Sequence, residues 1–138
     1  MQASPWDIKW SDELSMSNAE IDAEHQHFIQ LVNELNGEIM SQQREKANVE
    51  RIMGYILEDA IAHFAHEEQL FVEKSYPAAE EHTQIHAELI SKLKQVLQEI
   101  QESEYSFEWV EMGLTIKGLL LNHVLYEDTQ YIEYLRTE

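Results

Sequence analysis

Apolar residues recur at alternating steps of three and four along nearly the whole chain, and histidines and acids sit on the same stripes as the aliphatic side chains. The first stripe runs Ile21, His25, Phe28, Val32, Leu35, Ile39, with Ser17 and Glu20 in front of it as a capping box. The second runs Ile52, Ile56, Ala60, His63, Glu67, Leu70 and stops near Tyr76-Pro77, because proline disfavours helix at the residue before it. The third runs His82, His86, Leu89, Leu93, Val96, Ile100. After the polar break Glu102-Ser103-Glu104, the fourth runs Trp109, Met112, Ile116, Leu120, His123. With four glycines and two prolines in 138 residues, turn punctuation is sparse. The pattern predicts an all-α chain: four helices over about 18–40, 46–75, 78–103 and 106–135, joined by short connections as an up-down-up-down four-helix bundle. Residues 1–17, with Trp6 and Trp10, form an N-terminal arm across the bundle, Trp109 belongs to the core or to arm packing, and 1–138 is a single domain.

The polar members of those stripes limit the function. Residues four apart share one helix face, so His63 with Glu67 and His82 with His86 are each placed to grip one centre. Either pair alone is weak, since a lone seam histidine is more often a satisfied core residue than a ligand. Convergence overturns that reading, because all four helices contribute and buried imidazoles and carboxylates need partners. The candidate metal ligands are His25, His63, Glu67, His82, His86, His123 and Asp128. Asp128 is the exception in spacing: five residues from His123 is about 140° away on a straight helix, and Glu127 is geometrically better. The apolar stripe nevertheless continues as Tyr131 and Leu135, in register with Asp128, as it would after a one-residue π-bulge. His27 lies about 200° around the helix from His25 and is expected in solvent. His66 is expected at the surface or behind the ligands, and Glu68 faces outward. Two carboxylates and five imidazoles can serve two metals, and nitrogen and oxygen donors suit iron or manganese better than a four-coordinate structural zinc. A b-type haem takes one or two axial ligands and leaves three or more histidines unexplained.

Composition removes other classes. The absence of cysteine excludes disulfides, zinc–thiolate sites, iron–sulfur clusters and c-type haem attachment. A net charge of −18, from 27 acidic and 9 basic residues, repels nucleic-acid phosphate and anionic lipid. Neither nucleic acid nor a membrane is an expected partner. Met1 to Trp10 lacks the basic flank and apolar run of a secretory signal, so the expected location is cytoplasmic.

The segments I-D-A-E-H (Ile21 to His25), H-F-A-H-E-E (His63 to Glu68), S-Y-P (Ser75 to Pro77), H-T-Q-I-H (His82 to His86) and N-H-V-L-Y-E-D (Asn122 to Asp128) resemble the hemerythrin family, in particular its bacterial hemerythrin-like domains. The resemblance spans nearly the whole chain. It implies two iron ions, one held by His82, His86 and His123 and the other by His25 and His63, bridged by Glu67, Asp128 and a solvent-derived oxo or hydroxo group. It further implies that O2 binds reversibly, as a hydroperoxide, at the five-coordinate iron inside a dry pocket, and that small anions compete there. Phe28, Val32, Phe64, Leu119, Leu120 and Val124, each within a turn of a ligand, are the expected pocket lining.

An oxygen-binding protein rather than an enzyme is the first reading. The alternative is an oxygen- or redox-sensing input domain with a fused output signalling domain. A di-iron oxidase or peroxidase-like enzyme ranks third, because the ferritin-like pattern needs Glu-x-x-His on two helices and only Glu24/His27 fits it. The chain departs from the family at Leu119, where a tryptophan often stands, and faster autoxidation follows from a roomier pocket. Asp128→Ala is expected to abolish the paired metal site while Glu127→Ala leaves it intact, as read by metal content per chain; the reverse pattern would exchange the two assignments.

Overall fold

The computed structural model describes residues 8–123 apart from 12, 13, 17 and 43. The expected positions Trp6, Ser17, Val124, Glu127, Asp128, Tyr131 and Leu135 lie outside the described residues. Four helices follow one another: α1 Ala19–Met40, α2 Lys46–Glu73, α3 Ala79–Glu102 and α4 Glu108–Asn122. No strand occurs among the described residues. Helix α1 packs on α2 and α4, and α3 packs on the same two, so the four close into a ring around one seam. The apolar stripes fill that seam, with Val32, Leu35, Met53, Ile56, Leu93, Ile100 and Ile116 all essentially inaccessible.

Local chemistry sets the helix ends. Asn18, rather than Ser17, caps α1: its side-chain oxygen accepts from the backbone N–H of Glu20 at 3.0 Å and of Ile21 at 3.1 Å. Asp22 in the same turn accepts from the Ser15 hydroxyl at 2.6 Å and the Met16 N–H at 2.7 Å, tying the arm to the helix start. Between α2 and α3 the chain reverses through Ser75 in the left-handed region, φ 54°. The Tyr76 N–H bonds to the Phe71 carbonyl at 2.9 Å and the Ser75 N–H to the Val72 carbonyl at 3.3 Å, which is a Schellman motif. Its apolar contact is Phe71 against Tyr76, ring centroids 5.2 Å apart. The α3 C-terminus receives the Lys46 ammonium, which donates to the carbonyls of Gln101 at 2.5 Å and Ser103 at 3.1 Å. Trp109 is buried, and its indole N–H donates to the Ser103 hydroxyl at 2.7 Å.

Two further contacts position the site. Gly113 lets α4 approach α1 closely, since a Cβ there would lie 2.9 Å from both Asn36 Oδ1 and Ile39 Cδ1. The arm is pinned by a reciprocal pair: the Ile8 N–H donates to Asn33 Oδ1 at 2.7 Å, and Asn33 Nδ2 donates to the Ile8 carbonyl at 2.8 Å.

The left-handed backbone at Ser75 disfavours a side chain with a Cβ. Ser75→Gly is expected to raise unfolding free energy by about 0.5–1 kcal/mol, measured by urea denaturation. A loss of stability would show that the serine makes a compensating interaction in the turn.

Candidate metal centre

Each ligand-bearing helix turns its polar residues into the seam at one level. His25 on α1, His63 and Glu67 on α2, His82 and His86 on α3, and His123 just past α4 are all buried, Glu67 and His25 at 0% exposure. They form two groups, His82 with His86 and His123, and His25 with His63 and Glu67, each with its ligand atoms within 4.8 Å of one another. Within the second group, His25 Nε2 and His63 Nε2 are 3.1 Å apart. Glu67 joins the groups through one oxygen: Oε1 lies 3.2 Å from His63 Nε2, 3.3 Å from His86 Nε2 and 4.0 Å from His123 Nε2. The six predicted ligands that lie within the described residues are thus brought together.

The fit to a metal can be tested on these distances. Donors on neighbouring corners of an octahedron, each about 2.1 Å from a metal, are about 3.0 Å apart. The His25–His63, His63–Glu67 and Glu67–His86 separations, 3.1, 3.2 and 3.3 Å, are of that size. His86 Nε2 is buried and faces the Glu67 oxygen at 3.3 Å. A set of neutral nitrogens and one hard carboxylate suits iron or manganese.

Aromatic packing fixes the imidazole planes. Phe64 stacks on His86 with centroids 4.0 Å apart and planes 5° from parallel. Phe28 meets His63 edge-on at 5.2 Å, and Phe71 meets His82 edge-on at 5.2 Å. Such contacts hold a ring in place without supplying a competing donor.

Outside the ligands stands a layer of acids that periodicity did not reveal. Glu24 accepts from His63 Nδ1 at 2.5 Å and from His66 Nδ1 at 2.7 Å. Glu68 Oε1, expected to face outward, is 3.4 Å from His86 Nδ1. His66 is half-buried behind the ligands, and His27 is exposed and bonded to Asp59 at 2.8 Å. The sequence signal for Glu24 was slight: it adjoins His25 but lies off the apolar stripe. Burial pushes both carboxyls up, yet both end below the ordinary 4.5. The His63 and His66 hydrogen bonds and charges hold Glu24 down, and the His63 charge with hydrogen bonds from His123, His63 and His86 holds Glu67 well down.

Beside the centre is an enclosed apolar cavity lined by Ile8, His25, Phe28, Ile29, Val32, His63, Phe64, Leu120, Leu121 and His123. The centre of a water-sized sphere can sweep about 20 Å³ of it, against about 10–15 Å³ for one such sphere, so it holds one small molecule. Phe28, Val32, Phe64 and Leu120 line it as expected, whereas Leu119 does not. At about 100° per residue, the turn that aims Leu120 and Leu121 at the cavity carries Leu119 away, and it packs half-buried against the core. Among the described residues, Ile8, from the arm, supplies the one lining side chain not carried by a helix or its immediate end. At His123 the backbone widens into a π turn.

The sequence model of a family described as Hemerythrin HHE cation binding domain matches residues 16–135. Bacteriohemerythrin of Pseudomonas aeruginosa (strain UCBPP-PA14) is 26% identical over 133 residues, covering 94% of this chain and 82% of the relative. Bacteriohemerythrin of Stenotrophomonas maltophilia (strain R551-3) is 27% identical over 129 residues with the same coverage. A crystal structure of wild-type hemerythrin superposes with a TM-score of 0.82 at 18% identity, over 94% of this chain and 98% of that one.

Because Glu67 titrates lower in the folded chain than at 4.5, the unfolded chain binds more protons between the two values. The stability this carboxylate lends the metal-free protein is present above about pH 4.5 and lost as pH falls through the folded value. Urea midpoints of metal-free protein are expected to fall on acidification below about pH 4.5, and Glu67→Gln should flatten that fall. An unchanged slope would show that other groups carry the acid sensitivity.

Proposed function

As the chain belongs to the hemerythrin family, whose members point to a di-iron oxygen-binding or oxygen-sensing role, we propose that it holds two iron ions and binds O2 reversibly at the one with fewer histidines. The observation that carries this reading is the position of a small apolar cavity against both His25 and His63, whereas of the three-histidine group only His123 reaches its lining and His82 and His86 do not. His82, His86 and His123 would hold one iron and His25 and His63 the other, with the carboxylates of Glu67 and Asp128 shared between them. When bound, the iron pair supplies the electrons that make oxygen binding reversible.

The rest of the work falls to the chain. Phe28, Val32, Phe64 and Leu120 exclude water, and the Ile8 side chain closes the arm side of the cavity. The same walls admit a small anion in place of O2. No described helix is long and apolar enough to cross a membrane.

The test is to load the protein with ferrous iron without air, confirm two irons per chain, and follow absorption as oxygen is admitted and withdrawn. A spectrum that appears with oxygen and vanishes on its removal is expected. Prompt, irreversible conversion to the ferric state would replace reversible binding with redox sensing. Val32→Thr, which places a hydroxyl in the cavity wall and so invites water, is expected to speed autoxidation by roughly several-fold; an unchanged rate would show that dryness at Val32 does not protect the centre.

A further inference from the structure

Two of the buried imidazoles, His63 and His86, have an acid behind them, and the two acids stand at different distances. His63 turns Nε2 toward His25 and Glu67 and Nδ1 toward Glu24 Oε1, 2.5 Å away. The other Glu24 oxygen lies 2.7 Å from His66 Nδ1, and beyond it His66 Nε2 is 3.6 Å from Glu20 Oε2 at the surface. An ionised carboxylate only accepts, so both Nδ1 atoms are the donors. In the neutral ring this leaves the lone pair of His63 on Nε2, the atom that faces the metal position. In the other half the corresponding acid is looser: Glu68 Oε1 is 3.4 Å from His86 Nδ1, at the edge of hydrogen bonding. Glu68 therefore orients its ligand weakly, and that half has three histidines to share the work.

We propose that Glu24, steadied by His66, is the positioning residue of the two-histidine half: it fixes the Nδ1–H tautomer and ring orientation of His63, and so decides whether that half retains its metal. The inference rests on the two-metal reading above. Neither Glu24 nor His66 touches the metal position. Their effect passes through His63 alone, and the half-site made of His82, His86 and His123 is independent of them. Carboxylates in this outer position are worth about 10–100-fold in metal affinity.

Zinc, taken alone as a redox-silent ion for imidazole and carboxylate donors, makes the test independent of oxygen chemistry. Calorimetric titration of metal-free protein is expected to show two zinc sites in the wild type. Glu24→Ala should weaken one of them by about 10–100-fold and leave the other within about twofold. His66→Ala should weaken the same site by less, and Glu68→Ala should spare it. Long-range proton–nitrogen NMR of the metal-free wild type should show His63 with its proton on Nδ1. In the metal-free Glu24→Ala protein that preference should be lost while the thermal midpoint stays close to wild type, a combination that a merely structural role does not give. Equal weakening of both sites, no weakening of either, or a His63 tautomer unchanged in Glu24→Ala overturns the proposal. Fewer than two zinc sites in the wild type would instead remove the two-metal reading beneath it.

Discussion

A carboxylate withdrawn wholly from water must be held by donors or positive charge, and around Glu67 that requirement orders the whole seam. Its Oε1 is approached by imidazoles from its own helix, from α3 and from the end of α4, while α1 reaches the same cluster through His25. Removing one partner of a buried charge commonly costs about 3–5 kcal/mol. A one-residue slip of any helix turns its ligands by about 100° out of the seam. Aliphatic layers tolerate small changes of rotation better than this polar layer does. The site thus fixes helix phase as well as chemistry, and Gly113 gives α4 the close approach to α1 that keeps His123 in reach.

The cavity is built on the same plan as the ligands. Its walls include the seam residues Phe28, Val32, Phe64 and Leu120, all within two turns of the polar layer, so the packing that supports the bundle also walls the cavity. The arm completes the enclosure through main-chain bonds from Ile8 to one amide, Asn33. A wall held by backbone contacts is insensitive to which residues flank it, which lets the arm vary in sequence without opening the cavity.

Much of this was legible because the ligands lie on the apolar stripes. His25, His63, Glu67, His82, His86 and His123 each replace an aliphatic residue at helical spacing, and the four-helix class follows from the same spacing. The hidden part depends on how helices cross. Glu24 reads as one more acid on a strongly acidic chain until α1 meets α2 and brings it to His63 and His66, 39 and 42 residues away. Glu68 was read as outward because its neighbour faces in, yet the α2–α3 crossing brings it within range of His86. Ser17 and Asn18 are both good caps, and nothing in the local sequence chooses between them. Leu119 and Leu121 are equally apolar, so only the rotation of α4 tells which one meets the cavity.

The polar layer also divides the interior. On one side lies the large cluster from Phe28 to Ile116; on the other, Met16, Ile21, Phe71 and Tyr76 form a small cluster under the α2–α3 turn. Along α1 the order is Ile21, His25, Phe28, and along α2 it is Phe64, Glu67, Phe71. Hydrocarbon cohesion does not pass through such a belt. It is bridged by helix backbone and by rings that face both ways, with Phe64 and Phe71 each against His86. Metal bound at this level would join the two oily compartments into one cooperative body, and so would decide whether the turn end melts with the rest of the bundle or ahead of it.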